Sequence, residues 1–192
     1  MNRRIVTSGV FLIVIAIAVA VGSYFANDYW IHRYDELINR QAAVYRLDNR
    51  LVWSVIYEET YFRAWKVGND AEVGLMQVTP AVAREWGRET GLKEFEKQSN
   101  ENVEALLRDP ERNIQIGCWY LERLGEKYHD YAAESAMTLA AYNAGPSRVD
   151  EWTRQSPDPS RISEEDFVRS IAIASTKSYV TSILQRYRDQ KR

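Results

Sequence analysis

The chain has 192 residues, with 25 basic and 27 acidic side chains and a formal net charge of −2. That length holds one domain of ordinary size plus a short appendage, and the mixed charge offers no basic stripe, which excludes nucleic acid as a partner class. A single cysteine, Cys118, excludes an internal disulfide, and with only His32 and His129 beside it, far apart in sequence, it builds no zinc cluster; it reads as a small buried apolar residue.

The N-terminus opens with Arg3 and Arg4 and then runs apolar from Ile5 to Phe25, without interruption over Val10–Val21. As a helix the stretch reaches roughly 30 Å, enough to span a bilayer. The basic pair keeps the extreme N-terminus cytoplasmic by the positive-inside bias, so that everything after the span lies outside. Tyr24, Phe25, Tyr29 and Trp30 form an interfacial aromatic belt that favours an uncleaved, single-pass anchor. A cleaved signal peptide is the competing reading, with Ala18-Val19-Ala20 as its cleavage site. Both readings export the remainder, which is periplasmic if the envelope is Gram-negative, and no nearby cysteine supports a lipoprotein anchor.

From Asp28 to Ile56 apolar residues keep helical spacing, with a break expected near Asp48-Asn49. The organisation expected is an anchor or signal peptide over residues 1–26, a membrane-proximal helix over 27–45 and a catalytic domain over 46–192. Trp65–Leu75, with Gly68, Asn69, Asp70 and Gly74, reads as a loop or short irregular hairpin. Thr79-Pro80 opens a helix through about Glu89, and Asp109-Pro110-Glu111 opens another, with Ile114, Cys118, Leu121, Leu124 and Tyr128 on one face. Glu134–Tyr142 is a helix closed by Asn143 and Gly145-Pro146, and Ser156–Ser160 is a loop. Phe167–Tyr187 forms a terminal helix whose dipole suits Arg186, Arg188, Lys191 and Arg192. No run of alternating strands and no repeat emerges, so the fold class is mainly α.

The chemistry concentrates in three ordered motifs. Glu59 stands on an apolar, helical stretch in Val-Ile-Tyr-Glu-Glu-Thr-Tyr-Phe; Gly74-Leu75-Met76-Gln77 follows as a tight turn; Ala141-Tyr142-Asn143-Ala144-Gly145 closes a later helix. Taken in that order, and with Tyr179-Val180 in the last helix, these residues resemble the SLT-type lytic transglycosylases, relatives of goose-type lysozyme that cut bacterial peptidoglycan. The resemblance covers roughly Arg46 to Tyr187 and implies a compact, lysozyme-like single catalytic domain, preceded here by the N-terminal transmembrane helix.

Glycosidic cleavage needs a proton on the departing oxygen, and a carboxyl raised by an apolar pocket holds one near neutral pH. Val55, Ile56, Phe62 and Met76 are candidates to build such a pocket, and Glu59 is the candidate acid, with Thr60 where the family pattern has serine. Glu58 fits one register worse, and the bland alternative for either is a solvated carboxylate. Gly74 is expected to allow close approach to a sugar, with Met76 and Gln77 as apolar and amide contacts, against a purely structural turn with Met76 in the core. The resemblance implies that the Tyr142 hydroxyl approaches Glu59 while Asn143 shapes the groove; the alternative is a plain helix terminator. Tyr179 matches the family's late tyrosine, although Ser175 and Lys177 replace the acid and the arginine of that element. Glu72, an acid where small residues are commoner, either faces Glu59 and positions a water, or caps its own loop. Among the six tryptophans, Trp65 is the candidate for stacking on sugar and most read as core or interfacial.

The resemblance therefore implies cleavage of the β-1,4 bond between N-acetylmuramic acid and N-acetylglucosamine with 1,6-anhydro-muramoyl ends, Glu59 acting as both acid and base. Its partners are peptidoglycan glycan strands and, through the N-terminal helix, the membrane; no metal, nucleotide or redox cofactor is implied, and protein partners are unspecified. Three alternatives stay open: a muramidase of the same fold using Glu72, a glycan-binding module that does not cut, and a membrane-tethered helical interaction domain whose motif matches are accidental.

Overall fold

The computed structural model of the chain describes residues 3–92, 95, 98–154 and 156–190. They divide into two compact units, Met1–Asp35 and Glu36–Arg192. The first unit is a single helix, α1 (Arg3–His32), of 30 residues, about 45 Å at the α-helical rise. The consecutive residues Phe11, Leu12, Ile13, Val14 and Ile15 are all exposed. Five successive helical positions point in every direction around the axis, so this stretch of α1 is apolar all round. The segment that starts at Phe11 has a mean hydropathy of 1.8 and is long and apolar enough to cross a membrane.

The second unit is a helical assembly of α2 (Asp35–Val44), α3 (Asn49–Thr60), α4 (Pro80–Thr90), α5 (Asn100–Leu107), α6 (Pro110–Tyr128), α7 (Glu134–Ala144), α8 (Pro146–Thr153), α9 (Glu164–Ser170) and α10 (Ala174–Asp189). Among the described residues there are no strands, only isolated bridges pairing Val73 with Val67 and Val78. The expected helix starts are realised by their local chemistry. The Thr79 hydroxyl accepts from the Val82 N–H ahead of Pro80, and the Asp109 carboxylate accepts from the Arg112 N–H ahead of Pro110. Asp48 caps α3 in the same way through the Arg50 N–H, at the break expected there.

Helix α7 forms the centre. Ala136, Met137, Thr138, Leu139, Ala140 and Ala141 are all buried, and α6, α8, α9 and α10 pack around it. Its alanines let neighbouring backbones approach, and burial on all sides explains why it lacks an amphipathic stripe. Each large apolar side chain enclosed here, such as Met137 or Leu139, contributes about 1.5–3 kcal/mol. Helix α10 packs against both α7 and α3, which brings the last helix of the chain beside the helix that carries Glu59.

Four features depart from the sequence reading. The apolar spacing that runs on through Asp28–Ile56 hides a turn at Arg33-Tyr34, unmarked by proline or glycine, between α1 and α2. Helices α5 and α8 appear where no helix was expected, α8 starting on Pro146 as its first residue. Pro159–Arg161 in the expected loop forms a short 3-10 turn. The expected terminal helix is two helices, because Ile171 and Ile173 adopt extended ψ angles of 112°; both are β-branched, which favours that backbone. Lys191 and Arg192, expected to complement the final dipole, lie outside the described residues.

Candidate active site

Glu59 is the penultimate residue of α3, and the way that helix ends sets the site. Tyr61 and Phe62 both take left-handed backbone angles, φ 50° and 60°, a conformation that costs a non-glycine residue about 1 kcal/mol. The Tyr61 N–H closes the helix by donating to the Tyr57 carbonyl at 2.9 Å. The reversal drives Phe62 into the core at 0% exposure, where its ring meets Trp53 at 5.2 Å and Tyr57 at 6.4 Å. Burying that ring contributes more than the strain removes. Two cations then meet carbonyls of the last turn: Arg63 Nε donates to the Thr60 carbonyl at 2.8 Å, beside the Arg63 main-chain N–H at 3.3 Å, and Lys66 Nζ donates to the Glu59 carbonyl.

The Gly74–Gln77 turn is fixed against α3 on one side and α6 on the other. The buried Thr60 hydroxyl donates to the Leu75 carbonyl at 3.1 Å. Asn113 on α6, fully buried, accepts from the Met76 N–H at 2.8 Å and donates to the carbonyls of Val73 at 2.7 Å and Leu107 at 3.0 Å. Gly74 has φ +78°, and a Cβ there would stand 2.4 Å from Asn113 Nδ2, so glycine is required by the fold at this point. Gly117 on α6 makes the matching space for Met76, whose sulfur would lie 2.5 Å from an added Cβ. The Gln77 amide nitrogen donates to the carbonyls of Gly74 at 2.9 Å and Lys66 at 3.3 Å, and Gln77 lines a cleft of about 150 Å³ together with Val78, Tyr120, Tyr142 and Gly145.

At the centre, the Tyr179 hydroxyl of α10 donates to Glu59 Oε1 at 2.7 Å. Burial pushes the Glu59 carboxyl up from 4.5 to about 7, and Glu72 and Glu58 add to the rise, against the Tyr179 hydrogen bond and the Lys66 charge, which lower it. Part of the residue still reaches solvent. Burial, followed by the Glu59 charge, holds the phenols of Tyr179 and Tyr142 well above their ordinary value, so both remain donors. A carboxyl that titrates near neutrality can give a proton and take one back.

The structure brings most of the expected residues together but alters several parts they play. The Tyr142 hydroxyl donates to the Met76 carbonyl at 2.8 Å and not to Glu59; Tyr179, the less complete motif match, makes the carboxyl contact. Thr60, Gly74 and Met76, expected at the substrate, are buried and hold the turn in place; Met76 is enclosed by the core at 0% exposure. Asn143 is exposed, its side-chain oxygen accepting from the buried Thr176 hydroxyl at 2.7 Å, which joins α7 to α10. Glu72 accepts from the Asp70 N–H at 2.9 Å, the loop-capping alternative, while its charge still reaches Glu59. Glu58 is paired with Arg186 at 3.0 Å, and the Arg186 guanidinium stacks 4.0 Å from the Tyr57 ring. Trp65 is 61% exposed, whereas Trp86, Trp119 and Trp152 are buried; Cys118 is buried as expected, which pushes its thiol up.

Sequence reasoning missed Lys66 and Asn113. Asn113 was signalled by a polar residue one turn before Gly117 and two before Leu121 on the buried face of α6. Lys66, in a loop full of polar residues, carried no comparable signal.

The transglycosylase SLT domain matches residues 36–164, about two thirds of the chain. The soluble lytic murein transglycosylase of Escherichia coli K12 is 30% identical over 176 residues, covering 86% of this chain and 25% of that protein. The membrane-bound lytic murein transglycosylase C of Haemophilus ducreyi is 28% identical over 121 residues, 61% of this chain and 32% of that protein. Among solved structures, the 70-kDa soluble lytic transglycosylase of E. coli superposes with a TM-score of 0.68 at 26% identity over 82% of this chain and 24% of that one. A complex of the 70-kDa soluble lytic transglycosylase with bulgecin A gives 0.69 at 25% identity, over 83% of this chain and 24% of that one. The chain thus spans about a quarter of the length of the first of these relatives. With the domain match extending over α2 to α8 and the helical fold shared with these structures, the chain belongs to the transglycosylase SLT domain family.

Proposed function

We propose that this chain is a peptidoglycan lytic transglycosylase that cleaves the β-1,4 bond from N-acetylmuramic acid to N-acetylglucosamine, with Glu59 as its single acid and base. The observation that carries the reading is the Glu59 carboxyl itself, held by the Tyr179 hydroxyl and raised by burial to about 7. In the first half of the cycle protonated Glu59 gives its proton to the leaving glycosidic oxygen as the bond to the muramoyl C1 breaks, the substrate N-acetyl group assisting. In the second, the ionised carboxylate takes the proton from the muramoyl C6 hydroxyl while that oxygen bonds to C1, closing a 1,6-anhydro ring. The proton account balances on one carboxyl, with no cofactor called upon. The family membership and the names of the relatives support the substrate class; the engagement of Glu72 with its own loop favours ring closure over delivery of water.

The apolar helix α1 supports a single-pass membrane anchor, with residues 1–26 in or before the bilayer, 27–45 as the membrane-proximal segment and 46–192 as the catalytic domain outside the cytoplasm. The partners on this reading are glycan strands and the membrane, not nucleic acid.

The test is mass spectrometry of the products after the full chain, purified in detergent, is incubated with peptidoglycan, with Glu59→Gln beside it. Anhydro-muramoyl ends from the wild type, reduced roughly a thousandfold or more in the folded variant, are expected. Reducing muramic acid ends would transfer the assignment to a muramidase, and no cleavage by the folded wild type would leave a glycan-binding module.

A further inference from the structure

The catalytic carboxyl on the proposed reading lies in the last turn of a helix, where the negative end of the dipole opposes its ionisation. One cation meets that helix end at Glu59 itself. Lys66 Nζ donates to the Glu59 main-chain carbonyl. The Lys66 carbonyl accepts from the Gly74 N–H at 2.9 Å and from the Gln77 amide at 3.3 Å. A single residue therefore joins the acid's backbone to both ends of the motif turn.

We propose that Lys66 is a positioning residue for Glu59, clamping the helix end to the Gly74–Gln77 turn with its ammonium held against the acid's own backbone. The charge so placed favours the ionised carboxyl. The inference rests on Glu59 being the reacting acid. The groups around that carboxyl separate into two sets. Glu58 on the same helix and Glu72 on the loop push toward the protonated form, as burial does. The Tyr179 hydroxyl from α10 and the Lys66 ammonium push toward the ionised form. Tyr142 from α7 stays neutral with its hydroxyl on the Met76 carbonyl. The Glu58 charge is itself paired with Arg186. Lys66 is thus the cation in this set that acts on Glu59 while also holding it in place. In the proposed cycle it eases the return of the carboxylate, which must survive long enough to accept the C6 proton.

The neutral variants Lys66→Gln and Lys66→Met separate charge from clamp, since glutamine keeps an N–H donor and methionine does not; Lys66→Arg keeps the charge. Glu59 in the full chain, labelled with carbon-13 at the glutamate carboxyls and assigned by its absence from Glu59→Gln, is titrated directly by nuclear magnetic resonance. The expected result is a midpoint raised by roughly one pH unit in both neutral variants and unmoved in Lys66→Arg. The alkaline limb of the kcat/KM profile on peptidoglycan should move in the same direction. An unmoved midpoint in a folded neutral variant overturns the proposal, and failure of both neutral variants to fold overturns it too, leaving a structural clamp alone. Because the titration needs no turnover, a wild type that cleaves nothing would sink the functional reading without deciding the part played by Lys66.

Discussion

Replacing Glu59 with glutamine should make the protein more stable at and above neutral pH, while abolishing the proposed activity. Burial first, and then its acidic neighbours, raise the Glu59 carboxyl from 4.5 to about 7, so the folded chain holds a proton that the unfolded chain has already released. Below pH about 4.5 both states are protonated and the group contributes nothing. Between about 4.5 and 7 the unfolded state binds fewer protons, so stability falls as pH rises; above about 7 the whole penalty remains. Each tenfold in the proton equilibrium is worth about 1.4 kcal/mol, which makes the penalty about 3 kcal/mol. Glutamine has the same shape, does not ionise, and keeps an oxygen to accept the Tyr179 hydroxyl now bonded to Glu59 Oε1. For a chain of this size the difference corresponds to a Tm about 6–12 °C higher than wild type at about pH 8, shrinking to nothing near pH 4. Thermal unfolding followed by circular dichroism, with both proteins in the same detergent, measures it. A Tm difference that does not change with pH, or a variant less stable than wild type at about pH 8, would refute the argument that the fold holds this carboxyl out of its ionised form.

Tyr179→Phe removes the hydroxyl that favours the ionised carboxyl. The Glu59 midpoint should therefore rise, the alkaline limb of kcat/KM should follow it, and turnover at the optimum should fall roughly tenfold or more as the carboxyl loses its orientation; pH-rate profiles decide. Glu72→Gln removes a charge that raises Glu59, so the limb should move to lower pH while anhydro-muramoyl ends persist; a change to reducing ends would make Glu72 the water-directing acid. Asn113→Ala strips the Met76 N–H and the carbonyls of Val73 and Leu107 of their buried partner. Destabilisation of about 3–5 kcal/mol is expected by thermal or denaturant unfolding, together with loss of activity as the motif turn loosens.

What the sequence disclosed was local. Thr79-Pro80 and Asp109-Pro110 start helices because the cap and the proline act within one turn, and both starts stand where they were expected. The three motifs, read in order, pointed to the family that the domain match supports. What it concealed depends on long-range geometry. Tyr179, buried, and Tyr142, half-buried, are both phenols whose burial and the Glu59 charge hold them neutral, and only the packing of α10 on α3 decides which hydroxyl reaches the carboxyl. Asn113 lies 37 residues from the Met76 N–H that it satisfies, a pairing that no local pattern encodes. The break between α9 and α10 was hidden because apolar spacing stays in phase across Ile171–Ile173, without glycine or proline to mark it.

The placement of Glu59 near the end of α3 fits the demand of a cycle in which one carboxyl serves twice. Burial alone would drive the group far toward its protonated form, giving a ready acid that could not afterwards hold a negative charge and act as base. Full exposure would leave it near 4.5, ionised at neutral pH and without a proton to give. The helix end opposes ionisation further, and Glu58 and Glu72 act the same way. Burial is the largest influence and keeps the value near 7, while the Tyr179 hydroxyl and the Lys66 ammonium, from two different elements, offset part of the rise. The buried contacts of Thr60, Gly74, Met76 and Asn113 then acquire a shared purpose. They touch no reacting atom on this reading, yet they fix the loop from which Lys66 and Glu72 act, and so fix the balance of charge around the acid.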